Sequence, residues 1–395
     1  MHHLPSKLVA SEEDKSNVSE APAFQHGKLV GLDGLRAVAV LLVILFHQDV
    51  LPGGWIGVQI FFVLSGYLIT GLLFEARDNP LGRYLKSFYG RRALRIFPLY
   101  YAYLAAVGGL LWLGVDLPNV AAGMPAAATY TYNLWHASDA FARSLVLTHL
   151  WSLSAEEQFY LFWPLLIFFC PRDRIRGVLI AIVVCGPIVR FLTERILSQP
   201  GLPVYAYKHV VVYVLTTSHL DAFAIGGFAR LFPWGGARKA LWATFAALLV
   251  GGLLVKFSVG LSWSTLGYPL ALPHRYGFIW GYTLLNVCSA LLIDCLVSRQ
   301  FFPRIFEASS LSYLGKISYG IYVLHYPIQF AVERVVPGAP LPVRIAIQLI
   351  LTILLADISF RYFESKILVF KDRWFPTPHA RQSSLAGTLS ATSSR

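Results

Sequence analysis

Arg36 and His47 lie within one apolar run, Leu29-Val-Gly-Leu-Asp-Gly-Leu-Arg36-Ala-Val-Ala-Val-Leu-Leu-Val-Ile-Leu-Phe-His47. Ionisable groups are costly in hydrocarbon. They therefore face a bundle interior or a wet cavity, and act there. Eleven positions at roughly 100° each return to nearly the same helix face, and at ~1.5 Å per residue the two stand ~16 Å apart along the axis. One face then carries a cation at mid-depth and a titratable base near one end. That spacing suits a long substrate lying along the helix.

Two further segments carry the same types of residue. His149-Leu-Trp151-Ser152-Leu-Ser154-Ala-Glu156-Glu157-Gln158-Phe-Tyr160 opens a later apolar run, and Ser318-Tyr319-Gly-Ile-Tyr322-Val-Leu-His325-Tyr-Pro327 carries another histidine. A neutral histidine near a carboxylate can serve as a general base, because its pKa lies close to operating pH. His47, Glu156 and His325 are thus the candidate chemical groups, with His149 beside them. Ser154 and Glu157 read as an N-cap and its capping-box partner, which leaves Glu156 for the site.

A basic cluster, Phe88-Tyr-Gly-Arg91-Arg92-Ala-Leu-Arg95-Ile-Phe-Pro98, stands where another span begins. Arg92 and Arg95 are three apart and share a helix face, and guanidinium forks bind phosphates in a bidentate manner. Arg91, Arg92 and Arg95 are therefore candidate anion ligands. In Gly54-Trp55-Ile-Gly57-Val-Gln59-Ile-Phe-Phe-Val-Leu-Ser65-Gly66-Tyr67, the glycines and Ser65 permit close helix approach. Asp221, a further polar group in an apolar run, is a candidate counter-ion for Arg36.

The elements that must position these residues are membrane helices. The chain has 395 residues, 56% of them hydrophobic, only 14% charged, and a mean hydropathy of +0.57. Soluble proteins carry about 25% charged residues, so this is an all-α polytopic membrane protein. About ten spans are expected: 29–47, 57–75, 96–114, 150–170, 176–193, 210–230, 238–256, 276–297, 311–334 and 343–363. The Ala-rich stretch 118–136, broken by Pro118, Pro125 and Asn133, reads as a re-entrant or interfacial piece. Cys170, Cys185, Cys288 and Cys295 lack zinc-site spacing and read as apolar packing residues.

The net charge of +12 is spread through short loops, so it is an orientation signal and not a nucleic-acid surface. The loops after the second, fourth, sixth, eighth and tenth spans hold most of the bases. The loop 48–56 holds none. Both termini are therefore expected in the cytoplasm. Residues 1–27 read as a disordered cytoplasmic tail with no signal-peptide pattern. Residues 28–365 form the membrane domain, and 366–395 a cytoplasmic C-terminal tail.

Taken together, these segments resemble the membrane acyltransferase 3 family, which includes O-antigen and exopolysaccharide O-acetyltransferases. The resemblance rests on the arginine–ten residues–histidine spacing and on Gly-Trp-x-Gly-Val-x-x-Phe-Phe-Val-Leu-Ser-Gly. It rests equally on Arg-Arg-x-x-Arg-Ile-x-Pro, Trp-Ser-Leu-Ser-x-Glu-Glu-Gln-Phe-Tyr and Ser-Tyr-Gly-Ile-Tyr-x-x-His, in that order from Leu32 to Glu364. It implies a ten-helix bacterial plasma-membrane enzyme that moves an acyl group, acetyl by analogy, from acyl-CoA to a hydroxyl of a cell-surface or lipid-linked glycan. His47 would be the base and Arg36 its partner at the donor, while Arg91, Arg92 and Arg95 would meet the CoA phosphates. Acyl-CoA would be a substrate, and no permanently bound cofactor or metal is implied. Gln59 stands where the family commonly has an aspartate, so any ion pair made there must differ. The extracytoplasmic hydrolase-like domain fused to some relatives is not expected here. The competing readings of the same residues are a transporter or flippase using a proton relay, and an acyltransferase whose acceptor is a small glycoside.

Overall fold

A computed structural model describes residues 30–199, 201–202, 207–235 and 238–375. The expected tail at 1–27, and the C-terminal one from 376 onward, lie outside the described residues. Within them the chain is helical, with no strand. The helices are α1 (Val30–His47), α2 (Ile56–Ala76), α3 (Leu81–Trp112), α4 (Val120–Ala128), α5 (Tyr132–His136), α6 (Leu150–Phe169), α7 (Ile175–Leu197), α8 (Lys208–Val214), α9 (Leu220–Leu231), α10 (Arg238–Val259), α11 (Gly277–Val297), α12 (Pro303–Phe306), α13 (Ser309–Lys316), α14 (Ser318–Val335), α15 (Leu341–Ser359) and α16 (Ser365–Trp374).

Among the described residues seven helices are long and apolar enough to cross a membrane, or eight if one bent pair forms a single span. That pair is the expected sixth span. It turns by 68° between α8 and the 3₁₀ segment leading into α9. Leu215 is extended there (φ −73°, ψ 132°), and Thr216 Oγ1 beside the break accepts from Asn133 Nδ2 of α5. α6 and α14 lie at the expected fourth and ninth spans but are not among the seven. Both carry polar residues that lower their hydropathy, Glu156, Glu157 and Gln158 in one and His325, Gln329, Glu333 and Arg334 in the other. The expected ninth span is itself divided into α13 and α14. α15 runs on through a π-helical turn (Phe360–Glu364) into α16, across the expected boundary of the C-terminal tail. The stretch 118–136 forms the short helices α4 and α5.

Close helix crossings set the bundle. A Cβ on Gly66 would lie 2.1 Å from the carbonyl oxygen of Phe223, and one on Gly226 would lie 2.1 Å from that of Val63. α2 and α9 therefore meet backbone to backbone, which only glycine permits at those two points. A buried ion pair fastens α7 to α9 and α11. The fully buried guanidinium of Arg190 binds both carboxylate oxygens of Asp221, at 2.9 and 3.0 Å. It also donates to Ser218 O, Ile279 O and Thr283 Oγ1. Asp221 is thus Arg190's partner and does not compensate Arg36, which pairs with Asp33 at 2.6 Å, one helical turn away. Sequence reading overlooked Arg190 although it sits in the apolar run of α7.

The cysteines are free. Cys170 and Cys295 are buried and Cys288 is half-buried, as packing residues would be, but Cys185 is exposed on α7.

Candidate active site

α1, α2, α3, α6 and α14 surround a cavity of about 930 Å³, counted out to its open side. One end is cationic, formed by Arg36, Arg92 and Arg95. The other end is formed by Ser152 and Tyr322, whose hydroxyls hydrogen-bond to each other. Phe61, Phe62, Leu68 and Ile69 make an apolar wall between them. α2 and α6 each contribute side chains at intervals of about one turn, Phe61, Ser65 and Leu68 from α2 and Ser152, Glu156 and Tyr160 from α6.

The three basic residues of the α3 cluster divide. Arg92 and Arg95 face the cavity and, among the described residues, form no hydrogen bond or ion pair. Arg92 lies over the Tyr160 ring at 5.3 Å. Arg95 is near enough to Arg36 and Arg92 to be repelled by both. Arg91 points elsewhere. It binds Asp372 at 2.8 Å and the carbonyl of Phe375 at 2.7 Å, tying α3 to α16. Of the three arginines expected to act together, Arg92 and Arg95 line the cavity, beside Arg36, and Arg91 does not.

Glu156 and Glu157 line the cavity as well. Glu156 Oε1 accepts from Ser65 Oγ and from Tyr160 OH. Neither carboxylate forms an ion pair with an arginine among the described residues. Tyr319 lines the cavity and donates to Ile96 O at 2.8 Å, holding α14 against α3.

The histidines form a separate cluster beyond Tyr322. His47 Nδ1 lies 2.9 Å from His325 Nε2, and His325 Nδ1 lies 2.5 Å from Tyr322 O. His149 Nε2 lies 3.1 Å from Val323 O, and its ring stacks on Tyr326 with centroids 4.9 Å apart. The ring edge of Tyr326 also meets His47. Two histidines thus address carbonyls and the third addresses a histidine. Among the described residues no His/Cys/Asp/Glu group is placed to hold a metal ion. The cavity that holds Arg36, Arg92 and Arg95 also reaches Ser152 and Tyr322, and His47 is not among the residues that line it.

The remaining candidates support the fold. Trp55 is buried and donates to Tyr268 O at 3.2 Å. Trp151 packs on Phe62 and Tyr213. Ser154 is not an N-cap. α6 begins at Leu150, and Ser154 Oγ donates back to Leu150 O while accepting from Tyr132 N, so it clasps α5 to α6. The capping box with Glu157 is therefore absent, because the helix starts a full turn earlier than the serine. Gln59 is fully buried; its amide Nε2 donates to His219 Nδ1 at 3.2 Å. Sequence reading did not single out Ser152, Tyr160 or Tyr322 as site residues, although each stands within a quoted segment.

The family model described as "Acyltransferase domain", of the acyltransferase 3 type, matches residues 29–361. The chain belongs to the acyltransferase 3 family. It is 31% identical over 373 residues to "Putative peptidoglycan O-acetyltransferase YrhL" of Bacillus subtilis, covering 87% of this chain and 55% of that protein. It is 30% identical over 358 residues to "Putative O-acetyltransferase SACOL0978" of Staphylococcus aureus, covering 85% and 56%. It is 30% identical over 384 residues to "Peptidoglycan O-acetyltransferase OatA" of Listeria monocytogenes, covering 91% and 61%. The chain thus spans a little over half the length of these relatives. No solved structure matches it significantly.

The match to the acyltransferase 3 family contains every helix that lines the cavity and both halves of the histidine cluster. This acyltransferase domain therefore carries its cationic cavity and its imidazole pair within the matched region.

Proposed function

We propose that this protein is a bacterial plasma-membrane O-acyltransferase. Its donor is acyl-CoA, with acetyl as the acyl group, and its acceptor is a hydroxyl of peptidoglycan or a related surface glycan. The observation that carries the reading is a cavity with Arg92 and Arg95 unpaired at one end and an apolar wall beyond them. Guanidinium groups that form no ion pair favour an anionic ligand, and a CoA molecule offers phosphates at one end of a long, thin arm. The printed names of the relatives supply the choice of acetyl and peptidoglycan.

In this reading the phosphates meet Arg36, Arg92 and Arg95. The pantetheine arm lies along Phe61 and Ser65, where Glu156 and Glu157 accept from its amide N–H groups. The thioester passes Tyr322 toward His47. His47 takes the proton of the acceptor hydroxyl as the oxygen attacks the thioester carbonyl. The C–S bond then breaks, and the thiolate takes the proton back from the imidazolium. A positioned base of this kind contributes roughly 10²–10⁴-fold, and donors around the tetrahedral oxyanion would add to it.

The test uses purified protein in detergent, acetyl-CoA and a peptidoglycan fragment. Release of free CoA with acetylation of the fragment is the expected result. Acetyl-CoA left intact, with the acceptor translocated unmodified in vesicles, would replace this reading with that of a flippase.

A further inference from the structure

With both rings neutral, the hydrogen bonds around His47 allow one arrangement of protons. Tyr322 O can only accept, so the proton in the 2.5 Å contact sits on His325 Nδ1. A neutral His325 then has a lone pair at Nε2. The 2.9 Å contact to His47 consequently needs a proton on His47 Nδ1. His47 Nε2 is left as the basic nitrogen, and it forms no hydrogen bond among the described residues.

His325 is itself held firmly. It is fully buried. Its carbonyl accepts from Gln348 Nε2 at 3.1 Å, and Gln348 Oε1 accepts from Gln48 Nε2, next in chain to His47. The backbone carbonyl of His47 accepts from Gln329 Nε2 at 3.0 Å. His47, His325, Gln348 and Gln48 thus close a ring of contacts joining α1, α14 and α15. The titratable rings packed against these two histidines are His149, its centroid 5.2 Å from His325; Tyr322, 5.5 Å from His325; and Tyr326, at the edge of His47.

We infer that His325 is a positioning residue that fixes His47 in its Nδ1–H tautomer, so that Nε2 is the nitrogen presented to the acceptor. This rests on the reading of His47 as the base. His325 does not carry the proton itself: with Nδ1–H donating to Tyr322 O and Nε2 accepting from His47, its ring has no free lone pair for a second proton, and it is fully buried. Its role corresponds to that of an orienting group beside a general base, with a neutral ring in place of a carboxylate. The sequence-based placing of His325 among the catalytic groups is refined accordingly.

The test is ¹⁵N NMR of the full chain labelled at histidine and held in detergent, with His47→Ala used to assign the His47 signals. Wild type is expected to show a protonated Nδ1 and an unprotonated Nε2 at His47. His325→Leu should give mixed tautomers at His47 and a kcat at least about 10²-fold lower with donor KM unchanged, the low end of a lost general base. His325→Gln keeps an acceptor oxygen for His47 Nδ1–H, and should preserve the tautomer and most of kcat. An unprotonated Nδ1 in wild type, or a His47 tautomer that His325→Leu leaves unaltered, would overturn the inference. Because the NMR readout needs no turnover, a wild-type protein with the expected tautomer but no acyl transfer would instead defeat the proposed function.

Discussion

His47 and His325 stand 278 positions apart in the chain, yet their ring nitrogens lie 2.9 Å from each other. The contact forms because α14 passes α1 with its Tyr322–His325 turn level with the end of α1. It makes the imidazole on α1 dependent on a helix nearly 300 residues downstream, and it places that imidazole one side chain beyond a cationic cavity. Four consequences can be measured.

Removing the base should remove the chemistry and leave the protein in place. His47→Ala is expected to lower acetyl transfer at least about 10²-fold while membrane protein level stays unchanged. Acetyl content of cell-wall glycan, read by mass spectrometry, is the check. Normal acetylation in that strain would exclude His47 from the mechanism.

The arginines should separate by what they face. Arg92→Ala and Arg95→Ala each remove a charged donor from the cavity, so acyl-CoA should bind roughly 10–100-fold more weakly, corresponding to about 1.5–3 kcal/mol per charged hydrogen bond. Arg91→Ala breaks the contacts to Asp372 and Phe375 and should leave donor affinity within about twofold, a difference well under 1 kcal/mol. Unchanged donor affinity in the Arg92 and Arg95 variants, measured by equilibrium binding, would return the cluster to anchoring.

Ser65 lines the wall between the two ends. With the four native cysteines replaced, Ser65→Cys should react with a small thiol reagent, and saturating CoA should slow that reaction severalfold. Trp112, which is 86% exposed at the far end of α3, gives the control. Trp112→Cys should label at a rate that CoA does not change. Absence of protection at Ser65 would place the donor outside this cavity.

The Arg190–Asp221 pair should matter for folding rather than for the donor. Asp221→Asn leaves a buried guanidinium uncompensated, which costs about 3–5 kcal/mol. A clear fall in the detergent melting temperature is expected, with CoA affinity per folded molecule unchanged. Full stability in the variant would show that the neighbouring Ser218, Ile279 and Thr283 acceptors suffice for Arg190.

Much of the site could be read in one dimension. Polar residues inside apolar runs announce themselves, because hydrocarbon tolerates them only with a partner or a task; Arg36, His47, Glu156 and His325 were all found this way. Arg190 and Gln348 sent the same signal and were overlooked, since neither stands in a recognisable motif. Ser154 was misread because its hydroxyl can cap a helix or bond back to the previous turn, and only the true helix start at Leu150 distinguishes the two.

Composition and hydropathy determined that this chain is a helical membrane protein, and the order of its motifs determined its family. Both are local properties: a run of apolar residues, or a spacing along one helix, is complete within a single segment. The tertiary structure decided which arginines meet and which one turns to α16. It also gave Asp221 to Arg190 and brought His325 against His47. Those outcomes depend on which faces of distant helices are pressed together, and a helix face acquires its neighbours only when the whole bundle packs.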